Sequence, residues 1–283
     1  MKKTHLAILV LTLIWGSTWL AIKVGLGLMP PFSFAAMRFV IASSVLLPFA
    51  LKTGRGRIGM NLPMVLFTGL LLIPVPYAIT YWGAQYISSG LTAVLFSTLP
   101  IFVAVFSMFL LPEEKLSGLK GLGLALGFSG ILIIYFDDIA VGDYHASLGV
   151  GAVLLGSITS SVGIVLVKRD SHRYNPIMLT AIHFLIGAVV LLPLAALTEE
   201  WSDVVFNRSS VLSLLFLSLC GSAFAFSLYY WLLTKMHVTK VSLLVYATPI
   251  IATYLGWVFL DEGITLQIAL GTILVFGGIK LAS

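Results

Sequence analysis

Apolar residues fill this chain in runs of about 20, and the short polar stretches between them carry nearly all of its charge. A helical run of that length rises about 1.5 Å per residue and so crosses a hydrocarbon core of roughly 30 Å. Ten runs meet the requirement, at residues 5 to 25, 33 to 51, 63 to 82, 90 to 111, 118 to 136, 147 to 167, 177 to 197, 210 to 233, 240 to 260 and 265 to 281. The pattern predicts an all-α membrane protein of ten transmembrane helices. No connection is long enough to house a separate soluble domain, and none is of low complexity.

The charges orient these spans, because Lys and Arg in short loops stay on the cytoplasmic side. With the N-terminus inside, alternation assigns Lys2, Lys3, Lys52, Arg55, Arg57, Lys115, Lys120, Lys168, Arg169, Arg173, Lys235, Lys240 and Lys280 to the cytoplasm, 13 of the 16 basic residues. Lys23 and Arg208 fall outside, and Arg38 lies within the second span. The outer loops are acidic, with Asp137, Asp138, Asp143, Glu199, Glu200, Asp203, Asp261 and Glu262. One span more or fewer would scramble this sorting. It predicts a multi-pass protein of the cell inner (plasma) membrane with cytoplasmic N- and C-termini. Met1-Lys2-Lys3 before an apolar run resembles a signal peptide, yet the run continues through Trp15 and Trp19 without a small-residue cleavage site, which reads as a retained first helix.

The two halves of the chain align with each other. Tyr81-Trp82 through Pro100 falls without a gap on Tyr230-Trp231 through Pro249, at an offset of 149. Lys23, Pro31, Phe39 and Pro48 fall on Lys168, Pro176, Phe184 and Pro193, and Glu114, Gly123, Phe128 and Gly130 on Glu262, Gly271, Phe276 and Gly278. Chance similarity among Leu-rich helices does not align Trp, Pro, Lys and Glu. Five spans per copy is an odd number, so the second copy must enter the membrane from the opposite side. The expectation is two inverted five-helix repeats, residues 1–141 and 142–283, around a central cavity that rocking could open to either side in turn.

Composition narrows the function classes. With 59% hydrophobic and 10% charged residues the chain cannot present a soluble surface. A net charge of +5 would suggest nucleic acid in a soluble protein, but no basic stripe interleaved with aromatics exists to carry it, and topology accounts for the excess. The expected surroundings are the lipid bilayer and a small-molecule substrate, with no nucleic acid, as monomer or homodimer. The single cysteine, Cys220, forms no intrachain disulfide and gives no metal spacing, so neither metal nor cofactor is expected. The spans hold no Ser with His, paired Asp, or His and Glu metal set, which argues against an intramembrane enzyme. A membrane scaffold subunit without a cavity would have uniformly aliphatic inner faces, whereas Ser17, Tyr77, Ser97, Thr98, Ser160 and Thr248 are polar.

The run Ile14-Trp15-Gly16-Ser17-Thr18-Trp19-Leu20-Ala21-Ile22-Lys23, then Ala36-Met37-Arg38-Phe39, and the Pro100 and Glu114 helix with its repeat at Pro249 and Glu262, resemble the drug/metabolite transporter superfamily, EamA type. The resemblance covers essentially the whole chain. It implies a ten-helix transporter with a central substrate cavity and with spans 5 and 10 peripheral. It further implies export of amino acids or other small metabolites, the alternative being drug-like or purine-type amphiphiles.

Within that frame several residues could carry the chemistry. Arg38 lies roughly 7 Å inside the outer end of span 2, where an ionisable group is by default a functional hypothesis. It could bind a substrate carboxylate, snorkel to the interface, or bond helix carbonyls. His183 occupies the repeat position of Arg38, as a titratable gate or as a packing histidine bonded to a neighbour. Trp15, Tyr77, Tyr81 and Tyr246 are the deeper aromatics and are expected to line the cavity with Arg38 and His183, while Trp19, Trp82 and Tyr86 suit the interfacial belt. Glu114 and Glu262 end spans 4 and 9, where headgroups or water could solvate them in a structural role. Pro100 and Pro249 fall mid-helix and should kink their spans, as hinges or as fixed shape. No Asp or Glu sits mid-span, so facilitated diffusion or exchange is as compatible as proton coupling.

Overall fold

The computed structural model describes residues 2–53, 61–87, 89–114, 117–134, 144–260 and 266–282, and every regular element among them is helical. In order these are α1 (Lys2–Leu26), α2 (Pro31–Thr53), α3 (Leu62–Leu72), α4 (Pro74–Gly83), α5 (Ser89–Phe96), α6 (Leu99–Leu110), α7 (Gly118–Ile134) and α8 (Tyr144–Arg169). They are followed by α9 (Pro176–Thr198), α10 (Arg208–Phe216), a π-helical stretch Leu217–Phe224, α11 (Ala225–Leu233), α12 (Val238–Ser242), α13 (Leu244–Leu260) and α14 (Leu266–Ala282). Arg55, Arg57, Lys115, Asp137, Asp138, Asp143, Asp261 and Glu262, which the charge sorting and the repeat invoke, lie outside the described residues.

Helix starts follow local chemistry. Pro31, Pro74 and Pro176 open α2, α4 and α9, where a missing N–H costs nothing because the first turn has no acceptor for it. Asn61, Asn175 and Asn207 cap α3, α9 and α10, and Asn207 forms a reciprocal capping box with Ser210.

Among the described residues, six helical stretches are long and apolar enough to cross a membrane: Lys3–Leu26, Pro31–Lys52, Leu62–Gly83, Tyr144–Arg169, Pro176–Thr198 and Arg208–Leu233. Four shorter apolar stretches, Val94–Leu110, Gly118–Ile133, Val238–Ile251 and Ala269–Ala282, accompany them. Large apolar side chains cover the outside, among them Leu6, Leu9 and Leu13 on α1, Phe109 on α6 and Ile273 on α14, while Ser157, Ser161, Thr180, Ser218 and Ser222 are buried. This is the reverse of a soluble protein and describes a multi-pass membrane protein. Lipid is as apolar as leucine, so its helices are held by close packing and hydrogen bonds.

The closest packing is between α7 and α14. Gly123 lies against Gly278 and Ala282, and Gly130 against Gly271; a Cβ on Gly278 would come within 2.4 Å of the Gly127 nitrogen. At the middle of the molecule α2 packs on α9, with Phe39 and Phe184 rings 5.3 Å apart. Around this pair α1 packs on α13, and α8 on α4 and α6.

Four of the membrane stretches are interrupted. The break at Ile73, with φ −118° and ψ −81°, separates α3 from α4 just before Pro74 and Pro76. Pro100 sits in the first turn of α6, so the irregularity there is a turn at Ser97 and Thr98 between two helices rather than a bend inside one. Pro249 lies within α13, and the interruption of that stretch falls earlier, at Leu243. The π-helical Leu217–Phe224 lies between α10 and α11.

Candidate functional site

These breaks border a cavity of about 130 Å3 enclosed by α1, α2, α4, α5, α8, α11 and α13, with Leu72 of α3 and Leu99 of α6 at its edges. That is well above the roughly 10–15 Å3 a single water needs, so the cavity has room for a small solute. One wall is aromatic. Trp15 packs against Phe226 and Tyr229 with ring centroids 5.4 and 5.1 Å apart, and Tyr77 stands 5.6 Å from Tyr81. Hydroxyls of Thr18, Thr80, Thr92, Ser160 and Thr248 are set among aliphatic side chains such as Ile22, Ile164 and Val245.

Arg38 is the one charged residue among the described lining residues, and it is only 2% exposed. It therefore does not snorkel to an interface. Its Nε donates to Ser222 Oγ at 2.7 Å, Nη1 to Tyr81 Oη at 2.8 Å, and Nη2 to the Gly221 carbonyl at 3.4 Å. The guanidinium also lies 5.1 Å from the Tyr77 ring centroid and 5.6 Å from that of Phe39, within cation–π range. Each of these partners is neutral, and none of the ion pairs among the described residues involves Arg38. The π-helical stretch explains how a backbone carbonyl reaches the guanidinium, since wide turns expose carbonyls that an α-helix would engage. Trp15 Nε1 donates to the same Gly221 carbonyl at 3.3 Å.

Of the residues singled out from the sequence, the structure brings Trp15, Arg38, Tyr77 and Tyr81 together on this cavity. His183 and Tyr246 do not line it. His183 is fully buried between helices, with Nδ1 2.7 Å from Tyr230 Oη and Nε2 3.2 Å from Thr68 Oγ1, the arrangement of a packing histidine. Tyr246 turns away toward α7, where its ring covers Gly127 and its hydroxyl donates to the Leu124 carbonyl. The absent side chain of Gly127 makes room for that ring, and this is why the tyrosine points outward. Trp19, assigned to the interfacial belt, instead lines the cavity against Phe96. Tyr86 is 39% exposed beside Trp82.

Glu114 is not solvated. It is 6% exposed and caps α12, accepting from the Val238 N–H and from the N–H and hydroxyl of Thr239. Burial by α12 replaces the headgroups and water expected at the end of its span. Glu199 does the same for α2, accepting from Phe32 and Ser33 N–H at 2.7 and 2.6 Å. Lys168 Nζ donates to the Leu233 and Met236 carbonyls at 2.8 Å each, covering the end of α11.

Sequence reasoning missed Gly221, Ser222 and Phe226. Gly221-Ser222 in the middle of an apolar span was the available signal, since small and hydroxylated residues mark helix contacts and irregular turns in membranes.

The EamA-like transporter family matches this chain over residues 2–136 and again over 147–283. The uncharacterized transporter YoaV of Bacillus subtilis is 34% identical over 99% of this chain and 96% of its own length. The Escherichia coli inner membrane transporter YedA, likewise uncharacterized, is 30% identical over 88% of this chain and 80% of its own. A crystal structure superposes with a TM-score of 0.85 at 20% identity, over 100% of this chain and 97% of that one, and shows the same fold. Two matches that together span nearly the full length, with YoaV aligned over almost all of both chains, place the chain in the EamA-like transporter family.

Proposed function

We propose that this protein exports amino acids or similar small carboxylate-bearing metabolites across the inner membrane by alternating access, with ten spans in two inverted repeats (1–141 and 142–283) and both termini cytoplasmic. The observation that carries the proposal is Arg38, a buried cation without a counter-charge among the described residues, at a cavity walled by aromatic rings. A buried charge is costly unless paired, and a substrate carboxylate would supply the pair. Among the described residues the guanidinium donates only to neutral partners, Ser222, Tyr81 and the Gly221 carbonyl, so its charge is left for an anionic ligand to neutralise.

Contacts between aligned positions support the inverted repeat. Phe39 touches its own counterpart Phe184, as residues beside a two-fold axis must. Gly123 against Gly278 is matched by Gly271 against Gly130, and Arg38 on Tyr81 by His183 on Tyr230. In the charge-based orientation Ile22, Ala84 and Thr92 belong to the outer half of the cavity. Their counterparts Val167, Leu233 and Val241 are buried on the cytoplasmic side.

The test is uptake of labelled amino acids and of their 2-oxo and other small carboxylate analogues into proteoliposomes with and without a pH gradient. Flux no greater than in empty vesicles would sink the substrate class, and an Arg38→Ala variant with unchanged flux would sink the carboxylate site.

A further inference from the structure

We infer that among carboxylates this cavity selects those lacking an ammonium group, so that a 2-oxo acid is preferred over the amino acid of the same skeleton. The inference rests on the proposed carboxylate site at Arg38 and concerns what the rest of the cavity accepts beside it.

The charge inventory is one-sided. Arg38 brings a full positive charge, and no Asp or Glu lines the cavity among the described residues. The buried carboxylate of Glu114 is committed to the start of α12. A bound carboxylate neutralises Arg38. An amino acid would then leave its ammonium next to the guanidinium, in a site of low dielectric, with no anion to receive it.

Hydrogen-bond polarity points the same way. Tyr81 Oη and Ser222 Oγ both accept from Arg38, so their own hydrogens point away from it and can donate to a ligand. The side chains around Arg38 therefore present donors. An ammonium adds only donors, whereas a carboxylate with an adjacent carbonyl oxygen adds only acceptors. The ring face of Tyr77 already carries Arg38 at 5.1 Å. Trp15 spends its indole N–H on Gly221. Elsewhere an ammonium would meet the lone pairs of neutral hydroxyls such as those of Thr18 and Thr248, which donate to their own helix carbonyls. Neutral acceptors of that kind do not offset a like charge in the same cavity.

The experiment compares leucine with 4-methyl-2-oxopentanoate, which share a carbon skeleton and a count of non-hydrogen atoms. Binding to the purified wild-type protein is measured by equilibrium dialysis, and transport by counterflow in proteoliposomes. The oxo acid is expected to bind at least tenfold more tightly and to be the better counterflow substrate. A ratio below tenfold, or a preference for leucine, overturns the inference, and if binding still depends on Arg38 the carboxylate site survives it. Binding of neither compound, or binding indifferent to Arg38→Ala, removes both. A Ser160→Asp variant places an anion on the cavity wall and is expected to move the ratio at least tenfold toward leucine; an unchanged ratio in the folded variant counts against the charge argument.

Discussion

Replacing Glu114 by alanine removes the carboxylate that receives the first two N–H groups of α12. In the native chain Glu114 takes the Val238 N–H on Oε1 and the Thr239 N–H and hydroxyl on Oε2, at 6% exposure. Each buried N–H left without a partner costs about 1–3 kcal/mol. An anion at a partly buried helix start contributes up to ~2 kcal/mol. His237, the residue before α12, has a side chain 62% exposed, so water can recover part of the loss. The net expectation for Glu114→Ala is a destabilisation of about 2–4 kcal/mol.

Two companion variants isolate the cause. Glu114→Gln keeps one carbonyl oxygen and loses the charge, and should cost about half as much, ~1–2 kcal/mol. His237 Nδ1 stands 3.6 Å from Oε1, but an ion pair this exposed contributes little, so His237→Ala should change stability by about 0.5 kcal/mol or less. Reversible unfolding of the purified protein in mixed detergent micelles measures all three. Glu114→Ala within about 0.5 kcal/mol of wild type, or Gln as damaging as Ala, would refute the capping argument.

Glu199→Ala should destabilise by ~1–2 kcal/mol in the same assay, because Phe32 and Ser33 N–H at the start of α2 lose a charged acceptor. Gly278→Leu should cost more than ~3 kcal/mol or prevent folding, since the new side chain meets backbone of α7 rather than a mobile side-chain end. Tyr246→Phe loses one hydrogen bond, to the Leu124 carbonyl, and should cost about 1 kcal/mol while leaving substrate affinity unchanged, because the ring lies outside the cavity. His183→Ala should cost about 2–4 kcal/mol by orphaning the hydroxyls of Tyr230 and Thr68 and leaving a void.

Hydropathy made the membrane class legible because a helix of about twenty apolar residues matches the thickness of a hydrocarbon core. Arg38 was legible because an ionisable side chain within such a run is expensive. The interruptions were legible only in part. Pro74 and Pro100 announce a missing N–H, but nothing in Leu217–Phe224 announces a π-helical turn except Gly221-Ser222. Depth was legible for Tyr246 and direction was not: a tyrosine on a cavity-bordering helix points inward or outward according to its neighbours. Here Gly127, more than a hundred residues away in the chain, opened the outward slot. The partners of Glu114 were hidden for the same reason, since a carboxylate at the end of one span finds the start of another helix only through tertiary packing.

The geometry that Arg38 and His183 share sets their difference in relief. Each stands at the same aligned position, each bonds the hydroxyl of the aligned tyrosine, and the two neighbouring phenylalanines touch. Arg38 additionally reaches Ser222 and Gly221, whose aligned positions in the first repeat are Ile73 and Leu72. An aliphatic pair offers no acceptor side chain, so an arginine at position 183 would find no second Ser Oγ, and a neutral imidazole satisfied by Tyr230 and Thr68 fits that half instead. Packing is therefore shared between the aligned positions while charge is not: the aromatic and glycine contacts pair the two halves, and the cation stands in the first of them alone.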